Sequence, residues 1–153
     1  MQQRTFYIAS SFKNKNEVRN ISKLLIDKGY IHTYDWTLNN RATSLQALEK
    51  IGQEELAAVK NSDFIIVILP AGKGSHIELG IAIGLGKKIF LYSPNKEVNN
   101  LEATSTFYHL PEVNKWGSRG FNRDGYCANY LNLWLIFWSS GYVMDKQLMC
   151  NNE

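Results

Sequence analysis

Phe64-Ile-Ile-Val-Ile-Leu69 runs directly into Pro70-Ala-Gly-Lys-Gly-Ser-His-Ile-Glu-Leu-Gly80. The first six residues are continuously apolar and mostly β-branched, the pattern of a parallel strand buried on both faces. Glycines then make a turn, and Ile81-Ala-Ile-Gly-Leu-Gly86 continues as a small-residue helix. A buried strand, a glycine turn and a helix N-terminus mark the usual ligand crevice of an open α/β sheet. One carboxylate, Glu78, stands at that helix start. Ser75-His-Ile-Glu78 has the form of a capping box, with Ser75 as N-cap and Glu78 at the third helical position. A helix N-terminus also keeps a carboxylate ionised and aimed. The same spacing therefore serves a cap or a nucleophile.

Upstream, Arg4-Thr-Phe-Tyr-Ile-Ala-Ser-Ser11 reads as a first strand ending in small polar residues. A helix follows, capped by Asn14 or Asn16, with Val18, Ile21, Leu24 and Leu25 at helical spacing and Gly29 closing it. Tyr30-Ile-His-Thr-Tyr34 is a short second strand ending at Asp35-Trp36. A second helix spans about Ser44 to Asn61, with Leu45, Leu48, Ile51, Leu56 and Val59 as its apolar stripe. At about 100° per residue, Glu54 falls opposite that stripe and Glu55 falls within it. A carboxylate on a buried helix face is costly unless paired, so Glu55 either snorkels to a lysine or points into a polar pocket.

Downstream, Lys87-Lys-Ile-Phe-Leu-Tyr92 is the fourth strand, and Phe107-Tyr-His-Leu110 is the expected fifth. Strand and helix alternate, which predicts an α/β fold: a doubly wound, five-stranded parallel sheet with right-handed crossovers. The flavodoxin-like order 2-1-3-4-5 fits the length, and it makes strands one and three neighbours at the switch point. Their ends, Ala9-Ser-Ser11 and Pro70 to Gly74, line one crevice in that order. Residues 1–114 form this domain. Residues 115–153 are a different, aromatic tail, and Tyr130-Leu-Asn-Leu-Trp-Leu-Ile-Phe-Trp138 is expected to pack on the domain or at a homodimer contact.

The chain has 153 residues, 44% of them hydrophobic, and a formal net charge of +3. Its basic residues are scattered, so a nucleic-acid partner is not expected. His32, His76, His109, Cys127 and Cys150 have no metal-ligand spacing. No membrane partner is expected, since no apolar run reaches the length of a span. Lone cysteines and the absence of a leader point to the cytoplasm. The turn lacks the P-loop order, and Gly72-x-Gly74 is only half a dinucleotide fingerprint because the third position is Ile77. No cofactor is implied. The turn suits a phosphate or a ribose hydroxyl equally well.

Phe6-Tyr-Ile-Ala-Ser-Ser-Phe12, Tyr34-Asp-Trp36, Ser62-Asp-Phe-Ile-Ile-Val67 and above all Gly74-x-x-x-Glu78-Leu-Gly80 carry a family resemblance. Over residues 4 to 110 the chain resembles the nucleoside 2-deoxyribosyltransferases and the related 2′-deoxynucleoside 5′-monophosphate N-glycosidases. The resemblance implies that Glu78 is the nucleophile, that Tyr7 orients it, and that Asp35 acts near the base or as proton donor. It also places Glu55 against the sugar. Gly72 stands where the transferases have an aspartate, and the tail after Lys115 matches no family segment.

The expected reaction is cleavage of an N-glycosidic bond, or base exchange, on a nucleoside or nucleoside 5′-monophosphate through a covalent glycosyl-Glu78. The sugar lies over strands one and three, any 5′-phosphate lies near Ser10, Ser11, Gly74 and Ser75, Gly72 belongs to the substrate-binding turn, and Trp36 either stacks on the base or packs over the sheet edge. The resemblance further implies a homodimer. Two other readings stand beside this one. The strand-one motif also resembles TIR-type NAD glycohydrolases, and a non-catalytic nucleotide-binding module would use Glu78 only as a cap. Pro70-Ala-Gly-Lys-Gly-Ser-His-Ile-Glu78 is also similar to the glycine motif of cytokinin-activating phosphoribohydrolases.

Overall fold

A computed structural model describes residues 3–117. The sheet belongs to the compact unit Met1–Trp116. Its strands are β1 (Thr5–Ser10), β2 (Ile31–His32), β3 (Phe64–Ile68), β4 (Lys88–Ser93) and β5 (Val113–Gly117). Three helices connect them: α1 (Lys15–Asp27), α2 (Leu45–Asn61) and α3 (Lys73–Gly84). The sheet order is β2-β1-β3-β4-β5, as the alternation of elements predicts.

β1 lies parallel to β3 in the register Phe6–Phe64 to Ser10–Ile68. β3 lies parallel to β4 from Phe64–Lys88 to Ile68–Tyr92. Every residue of β3 is buried, because α-helices cover both faces of a strand at the centre of such a sheet. Phe6, Tyr7, Ile8, Ile65, Ile66, Ile89 and Leu91 form the middle of the core. The neighbouring ends of β1 and β3 open the switch-point crevice. Asn14 ties them together by donating from Nδ2 to Ser10 Oγ (2.8 Å) and to the Pro70 carbonyl (3.1 Å). That bridge is why Asn14, although it precedes α1, makes no side-chain cap.

Several elements differ from the sequence expectation. The second strand is two residues long, not five, with one further ladder bond from Thr33 N to the Phe6 carbonyl (2.9 Å). Phe107 to Leu110 is not the fifth strand. Thr106–His109 is a 3-10 turn that buries Tyr108, and β5 begins at Val113, crossing the boundary expected at residue 114. The expected stripe of α2 is largely exposed: Leu45, Leu48 and Leu56 face solvent, and Ala58 and Val59 are the buried residues. The face that α2 turns inward also brings Glu54 to the Tyr34 hydroxyl (2.7 Å). The aromatic segment 130–138 lies outside the described residues.

Candidate active site

α3 buries polar residues beside apolar ones on its sheet-facing side. Its sheet-facing residues are Ser75, Glu78, Leu79 and Ala82, at helical spacing. Glu78 is 7% exposed while its neighbour Ile77 is 65% exposed. A carboxylate in that position needs a partner, and β1 supplies one. The Tyr7 hydroxyl donates to Glu78 Oε1 at 2.6 Å. Burial pushes the Glu78 carboxyl up to about 7, the Tyr7 bond opposes that shift, and charge on Glu55 adds to it. Burial and the Glu78 charge raise Tyr7 far above its ordinary value, so Tyr7 remains a donor.

Glu78 is therefore not the end of a capping box. α3 begins earlier than expected, at Lys73, with Gly72 as N-cap. Ser75 sits in the first turn, and its Oγ accepts from Gly72 N (3.3 Å). The earlier start places Glu78 in the second turn, pointing at the sheet.

Above Glu78 is a cleft of about 190 Å³ lined by Ser10, Ser11, Phe12, Trp36, Glu55, Gly72, Lys73, Gly74, Ser75 and Glu78. Glu55 is half-buried on α2, and burial raises its carboxyl above the usual range. The Ser10 hydroxyl is already engaged, donating to the Ile68 carbonyl (2.9 Å). The Ser11 hydroxyl is buried and has no partner. The first-turn amides of α3 add N–H groups that a helix cannot satisfy internally. At Gly72 an added Cβ would lie 3.7 Å from Ser11, an ordinary contact, so Gly72 is not required by crowding.

Of the expected site residues, the structure brings Ser10, Ser11, Trp36, Glu55, Gly72, Gly74, Ser75 and Glu78 to the cleft, with Tyr7 beneath it. Asp35 is the exception and is not among the lining residues. Its Oδ1 caps the 3-10 turn Trp36–Leu38, accepting from Thr37 N (3.0 Å) and Thr37 Oγ1 (2.7 Å). Phe12 lines the cleft although neither spacing nor charge singles it out; its position just past the small polar end of β1 is the available signal. His76 is exposed at the helix start, yet it is not idle. Its Nδ1 lies 2.7 Å from the Gly72 carbonyl and its Nε2 2.6 Å from the Tyr108 hydroxyl. Among the described residues no cluster of ligating side chains could hold a metal ion.

The sequence profile described as nucleoside 2-deoxyribosyltransferase matches residues 6–145, a span that holds the tyrosine-bound carboxylate and the whole cleft. The chain belongs to the nucleoside 2-deoxyribosyltransferase family. It is an enzyme of that type, acting on a nucleoside or nucleotide. The match runs well past Leu110, so most of the tail that looked foreign to this family lies within it. Among solved structures, the fold is similar to the CMP N-glycosidase of Clostridium botulinum, with a TM-score of 0.52 at 21% identity over 74% of this chain and 88% of that one. It is also similar to the 2-deoxyribosyltransferase of Bacillus psychrosaccharolyticus, with a TM-score of 0.54 at 23% identity over 65% of this chain and 82% of that one. No curated protein matches the chain. No helix among the described residues is long and apolar enough to cross a membrane.

Proposed function

We propose that this family member breaks the N-glycosidic bond of a nucleoside or nucleoside 5′-monophosphate through a glycosyl ester on Glu78. The observation that carries the reading is the buried Glu78 carboxylate at the cleft, with Oε1 held by Tyr7 at 2.6 Å. Tyr7 occupies Oε1, so Oε2 is the oxygen that attacks. The C1′–N bond breaks with its electron pair going to the base, and Oε2 bonds to C1′. Water in the cleft gives the departing base its proton. A second water, or a second base, then attacks C1′ from the opposite face; the C1′–Oε2 bond breaks with its electron pair restoring the carboxylate, and the incoming group's proton passes to the hydroxide left by the first water, with net retention.

The cleft volume of about 190 Å³ is below the roughly 300–1,000 Å³ of a pocket that encloses a small molecule. The sugar fits inside, over Glu78 and Glu55, while base and phosphate extend to the rims. Trp36 is buried and does not offer a face for the expected stacking; Phe12, exposed and backed by Trp36, forms one rim and suits a flat base. Ser11, Lys73, Gly74 and Ser75 form the other and suit an anion.

Incubation with deoxynucleosides, deoxynucleoside 5′-monophosphates and NAD, with detection of free base, tests this. Base release from the first two classes and none by Glu78→Gln is expected, with an adduct on Glu78 trapped by a 2-fluorinated sugar. Release of nicotinamide from NAD alone replaces the reading by a NAD glycohydrolase. Cleavage by Glu78→Gln at the wild-type rate removes Glu78 as nucleophile.

A further inference from the structure

We propose that Asp35, Thr37 and Arg19 form a positioning unit that sets the Trp36–Phe12 wall of the cleft, and that Asp35 acts through this unit and not as a proton donor. The inference rests on the glycosidase reading for its kinetic consequence, but its geometry stands apart from it.

The unit begins with a gap in the sheet. β2 ends after two residues, so β1 beyond Phe6 has no strand on that side. A backbone carbonyl left unpaired in the core is costly. The Trp36 indole fills the gap: Nε1 donates to the Ile8 carbonyl at 2.7 Å. The ring is thereby fixed against β1, and its edge meets the Phe12 ring with centroids 5.5 Å apart at 63°. Phe12 itself is 62% exposed. A large apolar ring standing in solvent keeps one orientation only if something braces it. Trp36 braces one side, and Lys15 Nζ stands 4.7 Å from the ring centre.

Trp36 in turn depends on its own short turn. Asp35 Oδ1 accepts from both the amide and the hydroxyl of Thr37. Thr37 is buried, and its Oγ1 also accepts from Arg19 Nε (3.0 Å) while its carbonyl accepts from Arg19 Nη2 (2.9 Å). Thr37 thus uses its amide, its hydroxyl in both senses and its carbonyl. Among the described residues no direct ion pair links Arg19 to Asp35, so the connection runs through Thr37. Lys15 Nζ closes the far end of the turn at the Asn39 carbonyl (3.1 Å). A carboxylate committed in this way, outside the cleft lining, holds the aromatic wall in place. Its Oδ1 is committed to Thr37, and the residue does not line the cleft.

The two roles separate experimentally. The Trp36 indole N–H gives one proton–nitrogen NMR resonance, assigned by its loss in Trp36→Phe. Asp35→Asn keeps an acceptor oxygen for Thr37. Its indole resonance is expected in place, with kcat and KM for base release within about twofold of wild type. Asp35→Ala and Thr37→Val are expected to move the resonance and raise KM about tenfold, the order of one lost stacking contact, with kcat little changed. Arg19→Met, a change on the surface, is expected to move the resonance in the same direction without unfolding the protein. A loss of kcat of about a hundredfold or more in Asp35→Asn, with the resonance unmoved, makes Asp35 the general acid and overturns the proposal. An unmoved resonance in Asp35→Ala, Thr37→Val and Arg19→Met overturns it as well. If the wild-type protein releases no base from any substrate, the glycosidase reading falls, and the indole resonances alone decide the positioning unit.

Discussion

Tyr7 and Glu78, 71 residues apart in sequence, share a buried hydrogen bond of 2.6 Å. Adjacent strands bring the end of β1 under the first turns of α3, and this single contact joins sheet, helix and cleft. Glu78 owes its perturbed ionisation first to burial and then to Tyr7 and Glu55 acting in opposite directions.

Glu78→Gln keeps an acceptor for the Tyr7 hydroxyl and removes the nucleophile. Base release is expected to fall by more than about a thousandfold. Thermal unfolding, followed by circular dichroism, is expected to be unchanged or to shift upward, because a neutral amide is less costly to bury than a carboxylate.

The carboxyl of Glu78, pushed up to about 7, must be ionised to attack. In the wild type kcat/KM is expected to rise with pH through an inflection near 7. Tyr7→Phe removes the bond that lowers this value, so its inflection moves to higher pH and its activity at neutral pH falls. A pH–rate profile of the two proteins checks the direction. The same raised value bears on stability. The contribution of Glu78 is fully present below its ordinary 4.5 and is lost as pH rises toward 7.

His32 pulls the other way. It is stacked on Phe6 with ring centres 4.6 Å apart, its Nδ1 faces Ser22 Oγ at 3.0 Å, and its Nε2 is buried without a partner. Burial lowers its pKa from 6.5, with the Asp35 charge opposing the shift. The unfolded chain takes up the proton first, so stability is full above 6.5 and is lost as pH falls below it. His32→Phe keeps the stack and is expected to flatten this acid limb in a plot of Tm against pH. An unchanged slope would show that His32 titrates normally.

The Ser11 hydroxyl is buried and unpartnered at the cleft. An unsatisfied buried group costs about 1–3 kcal/mol. Ser11→Ala is therefore expected to leave Tm unchanged or raise it. It is also expected to raise KM about tenfold by removing a donor that only a bound ligand satisfies. A lower Tm with unchanged KM would assign the hydroxyl to the fold.

The strand order was legible because β3 is continuously apolar and strand and helix alternate around it. Glu55 was legible because one carboxylate broke a helical stripe. The stripe itself misled: Leu45, Leu48 and Leu56 are exposed, and the face that α2 turns inward carries the Tyr34–Glu54 bond, a contact between distant residues that periodicity does not register. Ser75 resembled an N-cap because the motif is local, whereas the helix starts three residues earlier, with Gly72 as N-cap and His76 Nδ1 at the Gly72 carbonyl. Asp35 was expected at the end of the second strand, but that strand stops at His32; Asp35 instead caps the turn Trp36–Leu38, and its side-chain direction depends on Thr37 and Arg19. Phe12 carries neither charge nor periodicity, and its place just past the small polar end of β1 was the one signal for it.

The indole that replaces a strand beside Ile8 also guards the sheet. An open stretch of β1 past Phe6 would present its backbone to any extended chain, the usual route to edge-to-edge aggregation. One buried side chain takes the Ile8 carbonyl that such a chain would need, so the aromatic residue that shapes the cleft also closes that edge.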